Sequence, residues 1–151
     1  MAAVPEKDFC LPSDARGRIL LIEDDPDDQR FLRRAFEKTG RNVLIDLASD
    51  GQAAVEYLSG ARTVAGPAQK KSVHLILSDV HLPLRSGWDV LAWVRERPEL
   101  SHLPVLIWTS LATPEGAERA SGLGARAYLS KPRDLAGYGA IAKLIVSLLG
   151  D

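Results

Sequence analysis

Five short runs rich in β-branched and other apolar residues, each followed by a stretch patterned for a helix, limit what this chain can fold into. They are RILLI at 18 to 22, NVLIDL at 42 to 47, HLILS at 74 to 78, VLIWT at 105 to 109 and ARAYLS at 125 to 130. Such alternation is the signature of βα units feeding a parallel sheet. The first, third and fourth runs are nearly continuous in apolar residues, as strands covered by helices on both faces should be. With right-handed crossovers, five such units predict an α/β, doubly wound, five-stranded parallel sheet with strand order 2-1-3-4-5. In that arrangement the site lies at the carboxyl ends of the strands.

The intervening segments carry helix boundaries. Pro26 suits a first turn, Phe31, Leu32, Ala35 and Phe36 recur at helical spacing, and Gly40 ends the first helix. Gly51 to Leu58 and Gly87 to Arg97 predict two more, the latter capped by Ser86 and stopped at Pro98. Thr113, Pro114 and Glu115 open a fourth helix whose body, GAERASG, has little to bury and should be loosely held. Leu135 to Leu149 forms the fifth. Ala61 to Ser72, rich in Gly, Ala, Lys and Gln, reads as an exposed loop. Residues 1–17 read as an extended or disordered tail, and 18–151 as one folded domain.

A length of 151 residues suits that single domain. The net charge of -1 gives no electrostatic reason to expect nucleic acid or an acidic membrane, so a protein partner is expected. Cys10 is the sole cysteine, which rules out an internal disulfide, and no apolar run approaches the roughly 20 residues that span a bilayer. A cytoplasmic protein, neither exported nor membrane-embedded, is the expectation.

The strand ends carry the chemistry. The first run leads into Glu23, Asp24 and Asp25, the third into Asp79, the fourth into Thr109, and the fifth into Lys131 and Pro132. In the predicted strand order these ends converge on one crevice. Three carboxylates there would raise each other's pKa unless a cation offset them, and oxygen ligands call for a hard divalent ion, Mg²⁺ or Mn²⁺. Phosphoryl transfer needs a nucleophile and charge neutralisation. Asp79 can be the first, and the metal with Lys131 can supply the second.

ILLIEDDPDDQRFL, LILSDVHLPLRSGWDVL, VLIWTS and AYLSKP together resemble the receiver domains of two-component response regulators, over Arg18 to about Leu149. Four spaced motifs in order are far more specific than any one alone. The resemblance implies the flavodoxin-like receiver fold and makes Asp79 the phosphoacceptor, fed by a histidine kinase. It implies Asp24 as a direct metal ligand, Glu23 acting through water, and the His81 backbone carbonyl as a further ligand. Thr109 would be the switch hydroxyl, Tyr128 the switch aromatic, and Lys131 the phosphate contact, followed by a cis-Pro132. The chain as a whole is most similar to stand-alone regulators paired with phytochrome-type histidine kinases. Such a protein is a phosphoacceptor with self-phosphotransfer and self-dephosphorylation only, and not otherwise an enzyme.

Blander roles fit other residues. Asp27 and Asp28 read as solvated helix residues, and the His81 side chain as no ligand. Trp88, Trp93 and Trp108 read as packing residues. On the last helix Ile141, Leu144, Ile145 and Leu148 form a docking stripe, while Leu135, Tyr138, Ala142, Val146 and Leu149 form a second. That second stripe predicts a homodimer through the last helix and strand five, against the plainer alternative of a wide core contact. Two rival functions share the architecture. An aspartyl phosphohydrolase would need a second acid two residues after Asp79, where His81 stands; an adaptor would bind without phosphorylation.

Overall fold

The computed structural model describes residues 17–60 and 73–150. The expected tail and the loop at 61–72 therefore lie outside the described residues, apart from Gly17. Ten elements alternate: β1 (Arg18–Ile22), α1 (Pro26–Lys38), β2 (Leu44–Ala48), α2 (Gly51–Leu58), β3 (Leu75–Asp79), α3 (Gly87–Arg95), β4 (Val105–Thr109), α4 (Pro114–Gly122), β5 (Ala127–Ser130) and α5 (Leu135–Leu149). The strands pair in parallel in the order β2-β1-β3-β4-β5, as the alternation predicts.

Side-chain caps set the helix starts. Asp25, Asp50, Ser86, Thr113 and Asp134 each accept a backbone N–H from the first turn of α1 to α5 respectively, and Ser86 with Asp89 completes a reciprocal capping box. Boundaries differ from expectation by one or two residues. Helix α1 ends as expected, with Thr39 as its C-cap and Gly40 following at φ 75°, whereas α3 stops at Arg95, three residues before Pro98. Strand β2 starts at Leu44 instead of Asn42, and β5 at Ala127 instead of Ala125. Both are edge strands, so they extend only as far as their single neighbour offers partners.

Alternate residues of the buried strands serve two cores. Leu20, Ile22, Ile76, Val105 and Ile107 pack on Ala54, Val90, Leu91 and Val94 of α2 and α3. Ile19, Leu21, Leu75, Leu77, Leu106 and Trp108 pack on Leu32 and Phe36 of α1 and on Ile141, Ala142 and Ile145 of α5. Helix α4 buries Ala120 alone, which agrees with its loosely held reading. The second stripe of α5 is largely internal: Tyr138 and Ala142 are buried, Val146 and Leu149 pack against the core, and Leu135 stays 57% exposed.

Two charged residues break the apolar pattern. Arg18 and Asp46, each 2% exposed, pair at 3.1 Å across β1 and β2. The Tyr57 hydroxyl of α2 donates to the same carboxylate. Burial, then the hydrogen bond to Asp46 and its charge, push the Tyr57 phenol up to about 12.

Candidate functional site

Glu23 and Asp24 leave the end of β1 and Asp79 ends β3, and one carboxylate oxygen from each lies within 4.8 Å of the others. Glu23 is fully buried, Asp79 nearly so, and Asp24 faces solvent. Glu23 Oε2 accepts the Asp25 N–H at 3.1 Å, while Glu23 Oε1 is buried without a hydrogen bond. Gly87 lets α3 start hard against β3, since a Cβ there would sit 2.1 Å from the Asp79 carbonyl oxygen.

From the far side of the crevice Lys131 reaches in. Its Nζ donates to Asp79 Oδ2 and Asp28 Oδ2 at 2.9 Å each, and lies 3.0 Å from Glu23 Oε1 without hydrogen-bond alignment. Burial alone would lower the Lys131 pKa, but the hydrogen bonds to Asp28 and Asp79 and the charge of Glu23 outweigh it and raise it. The Lys131 N–H donates to the Thr109 carbonyl at 2.8 Å, which fixes the height of its side chain on the rim.

Burial pushes Glu23 up to about 7, opposed by Lys131 and reinforced by the Asp79 charge. Between its ordinary 4.5 and about 7 the folded protein binds more protons than the unfolded chain. Its stability therefore falls as pH rises through that window. Glu23→Gln should flatten that slope; urea midpoints in EDTA on both sides of the window would show it, and an unchanged slope would place the titration elsewhere.

The expected switch residues are both at this end of the sheet. Thr109 is buried and its Oγ1 accepts the Leu111 N–H at 3.3 Å. The Tyr128 ring stacks on Trp88 with centroids 6.3 Å apart, and its hydroxyl accepts the Thr113 N–H at 3.1 Å. Its tip lies against the first turn of α4, where a Cβ on Gly116 would come within 2.1 Å of the hydroxyl oxygen. The His81 N–H points at Asp79 Oδ1 from 3.4 Å, and the His81 side chain is exposed.

Two expectations are corrected. Asp28 is no solvated helix residue: it is buried, and besides Lys131 it accepts the Tyr138 hydroxyl at 2.6 Å. The helical spacing of Leu32, Ala35 and Phe36, run back one turn, lands on Asp28, and that was the available signal. Trp108 is wholly buried, as a packing residue should be, and Lys131 Nζ lies 5.2 Å from its ring centroid, so it packs beneath the site. No peptide bond among the described residues is cis, so Lys131–Pro132 is trans, the form that X–Pro bonds favour unless a turn demands otherwise.

The response regulator receiver domain model matches residues 19–138. The chain belongs to this family. The receiver is 30% identical to the probable methanogenesis regulatory protein FilR2 of Methanothrix harundinacea over 76% of this chain and 71% of that protein. Among solved structures it is similar to the phosphorylated cyanobacterial phytochrome response regulator RcpA, at 26% identity, 88% and 93% coverage and a TM-score of 0.78. It is also similar to the Mn²⁺-bound form of response regulator Rcp1, at 27% identity, 87% and 92% coverage and a TM-score of 0.73. Some curated relatives are much longer, and the chain spans only 23% and 14% of two of them. Receiver domains are the modules of two-component systems that histidine kinases phosphorylate. The oxygen-only donor set of Glu23, Asp24 and Asp79 suits a hard divalent cation, and Glu23 Oε1, ion-paired with Lys131 but taking no hydrogen bond, is a buried acceptor that could serve it. No helix among the described residues is long and apolar enough to cross a membrane.

Proposed function

We propose that Asp79 accepts a phosphoryl group from a histidine kinase, and that the receiver signals by the change of surface that follows. The observation that carries this is the Lys131 ammonium drawn between Asp79 and Asp28, beside a three-carboxylate cluster at the strand ends. In the transfer an Asp79 carboxylate oxygen bonds to phosphorus, the bond from phosphorus to the kinase imidazole breaks, and the imidazole leaves with that electron pair. Lys131 follows the new phosphoryl oxygens, offsetting their charge. Asp24, Asp79, the His81 carbonyl and, through water, Glu23 would hold Mg²⁺ or Mn²⁺, which would supply further charge neutralisation. The Thr109 hydroxyl turns inward to the phosphoryl group, Tyr128 moves into the space released, and the thinly anchored α4 shifts.

Similarity to RcpA supports a phytochrome-type kinase as the donor. Leu84 and Leu111, 79% and 72% exposed on the loops beside the crevice, give a protein partner apolar surface. In this reading the tail at 1–17 precedes a receiver at 18–151, the protein works in the cytoplasm without nucleic acid, and it turns over no substrate beyond its own phosphoryl group. A homodimer through α5 and β5 would use Leu135 and the half-buried Leu144, Val146, Leu148 and Leu149. Acetyl phosphate with Mg²⁺ should add one phosphoryl group by intact mass, and excess EDTA should prevent it. No adduct on the wild type would favour an adaptor that binds unphosphorylated.

A further inference from the structure

An ammonium has three N–H donors; Lys131 gives two to Asp28 and Asp79, and its charge lies 3.0 Å from Glu23. Of these partners Asp28 alone stands outside the cluster suited to a cation. Its two oxygens are divided: Oδ2 takes Lys131 at 2.9 Å and Oδ1 takes the Tyr138 hydroxyl at 2.6 Å. The Tyr138 ring, buried on α5, meets Trp108 edge-on at 6.3 Å and Phe31 of α1 at 5.4 Å. Trp108 in turn lies beneath Lys131. Lysine, aspartate, tyrosine and tryptophan thus close a ring of contacts, and the tyrosine touches neither the acceptor nor the acidic cluster in any contact described.

We infer that Asp28 and Tyr138 are positioning residues that set how readily Lys131 turns from its resting partners to a phosphoryl oxygen. The inference rests on Asp79 being the acceptor. Asp28 competes with the incoming group for the ammonium, and the Tyr138 hydroxyl moderates that competition by drawing the aspartate charge toward Oδ1. Removing the hydroxyl leaves the whole carboxylate charge to hold Lys131 back. Removing the aspartate charge loosens the lysine. The two changes therefore have opposite signs, and the first acts only through Asp28.

The test is the initial rate of adduct formation from acetyl phosphate and Mg²⁺, followed by intact mass. Tyr138→Phe should be slower and Asp28→Asn faster, each by about threefold to tenfold, and the double variant should match Asp28→Asn alone. A purely structural pair would lower the melting temperature of both singles and slow both. Single variants that shift the rate in the same direction or not at all overturn the inference, as does a Tyr138→Phe effect that survives in the Asp28→Asn background. Should Asp28→Asn not fold, Asp28→Ser makes the same comparison. Failure of the wild type to gain an adduct overturns the Asp79 assignment instead, so the two failures are distinct.

Discussion

Asp79→Asn should gain no phosphoryl group from acetyl phosphate and Mg²⁺ under conditions that label the wild type fully. The amide keeps the shape of the side chain, so the end of β3 and its contact with α3 survive. What is lost is the anionic oxygen that attacks phosphorus, along with one of three carboxylates within ligand distance of one another. The neighbours are poorly placed to substitute. Glu23 is fully buried with one oxygen on the Asp25 N–H, and both Asp28 oxygens are engaged by Lys131 and Tyr138. Asp24 is the exposed carboxylate of the group, so peptide mapping should follow any residual adduct there first. A variant that labels as fully as the wild type would remove Asp79 from its role.

Asp46→Leu should destabilise the protein by about 3–5 kcal/mol, the usual cost of removing one partner of a buried ion pair. Arg18 and Asp46 are each 2% exposed, and the Tyr57 hydroxyl loses its acceptor in the same step. Asp46→Asn should cost less, because the amide oxygen still accepts from the guanidinium and the phenol while only the charge is removed. Urea midpoints of the three proteins give the order. If leucine proves as stable as aspartate, water or a shifted neighbour satisfies the guanidinium, and the pair contributes nothing to holding β2 in place. A registering role is reasonable for this pair: Arg18 lies opposite Leu44 and Leu20 opposite Asp46, so a one-residue slip of β2 would turn the carboxylate to the other face of the sheet.

The expectations that held were carried by local chemistry. A run such as RILLI or VLIWT needs no distant partner to be read as a buried strand, and Asp25, Ser86 or Thr113 caps a helix with its own neighbours. Strand order followed because right-handed crossovers leave few ways to wind five such units. Once the order is known, Glu23, Asp24, Asp79, Thr109 and Lys131 must share a rim.

What local chemistry could not decide was the fate of polar and amphipathic side chains whose partners lie far along the chain. Asp28 meets Lys131 and Tyr138, 103 and 110 residues away, and Arg18 meets Asp46 across 28. Such pairings depend on how α1 and α5 settle side by side and on the register of β1 with β2. The second stripe of α5 follows the same logic: Tyr138 is apolar enough to read as surface for a partner, yet α1 already covers it. The sequence by itself therefore determined the sheet and the gathering of acidic residues and Lys131 on one rim, because backbone pattern and crossover handedness suffice for both. Only the tertiary structure decided which acid outside the strand ends pairs with Lys131, because burying a charge depends on a partner that packing alone brings near.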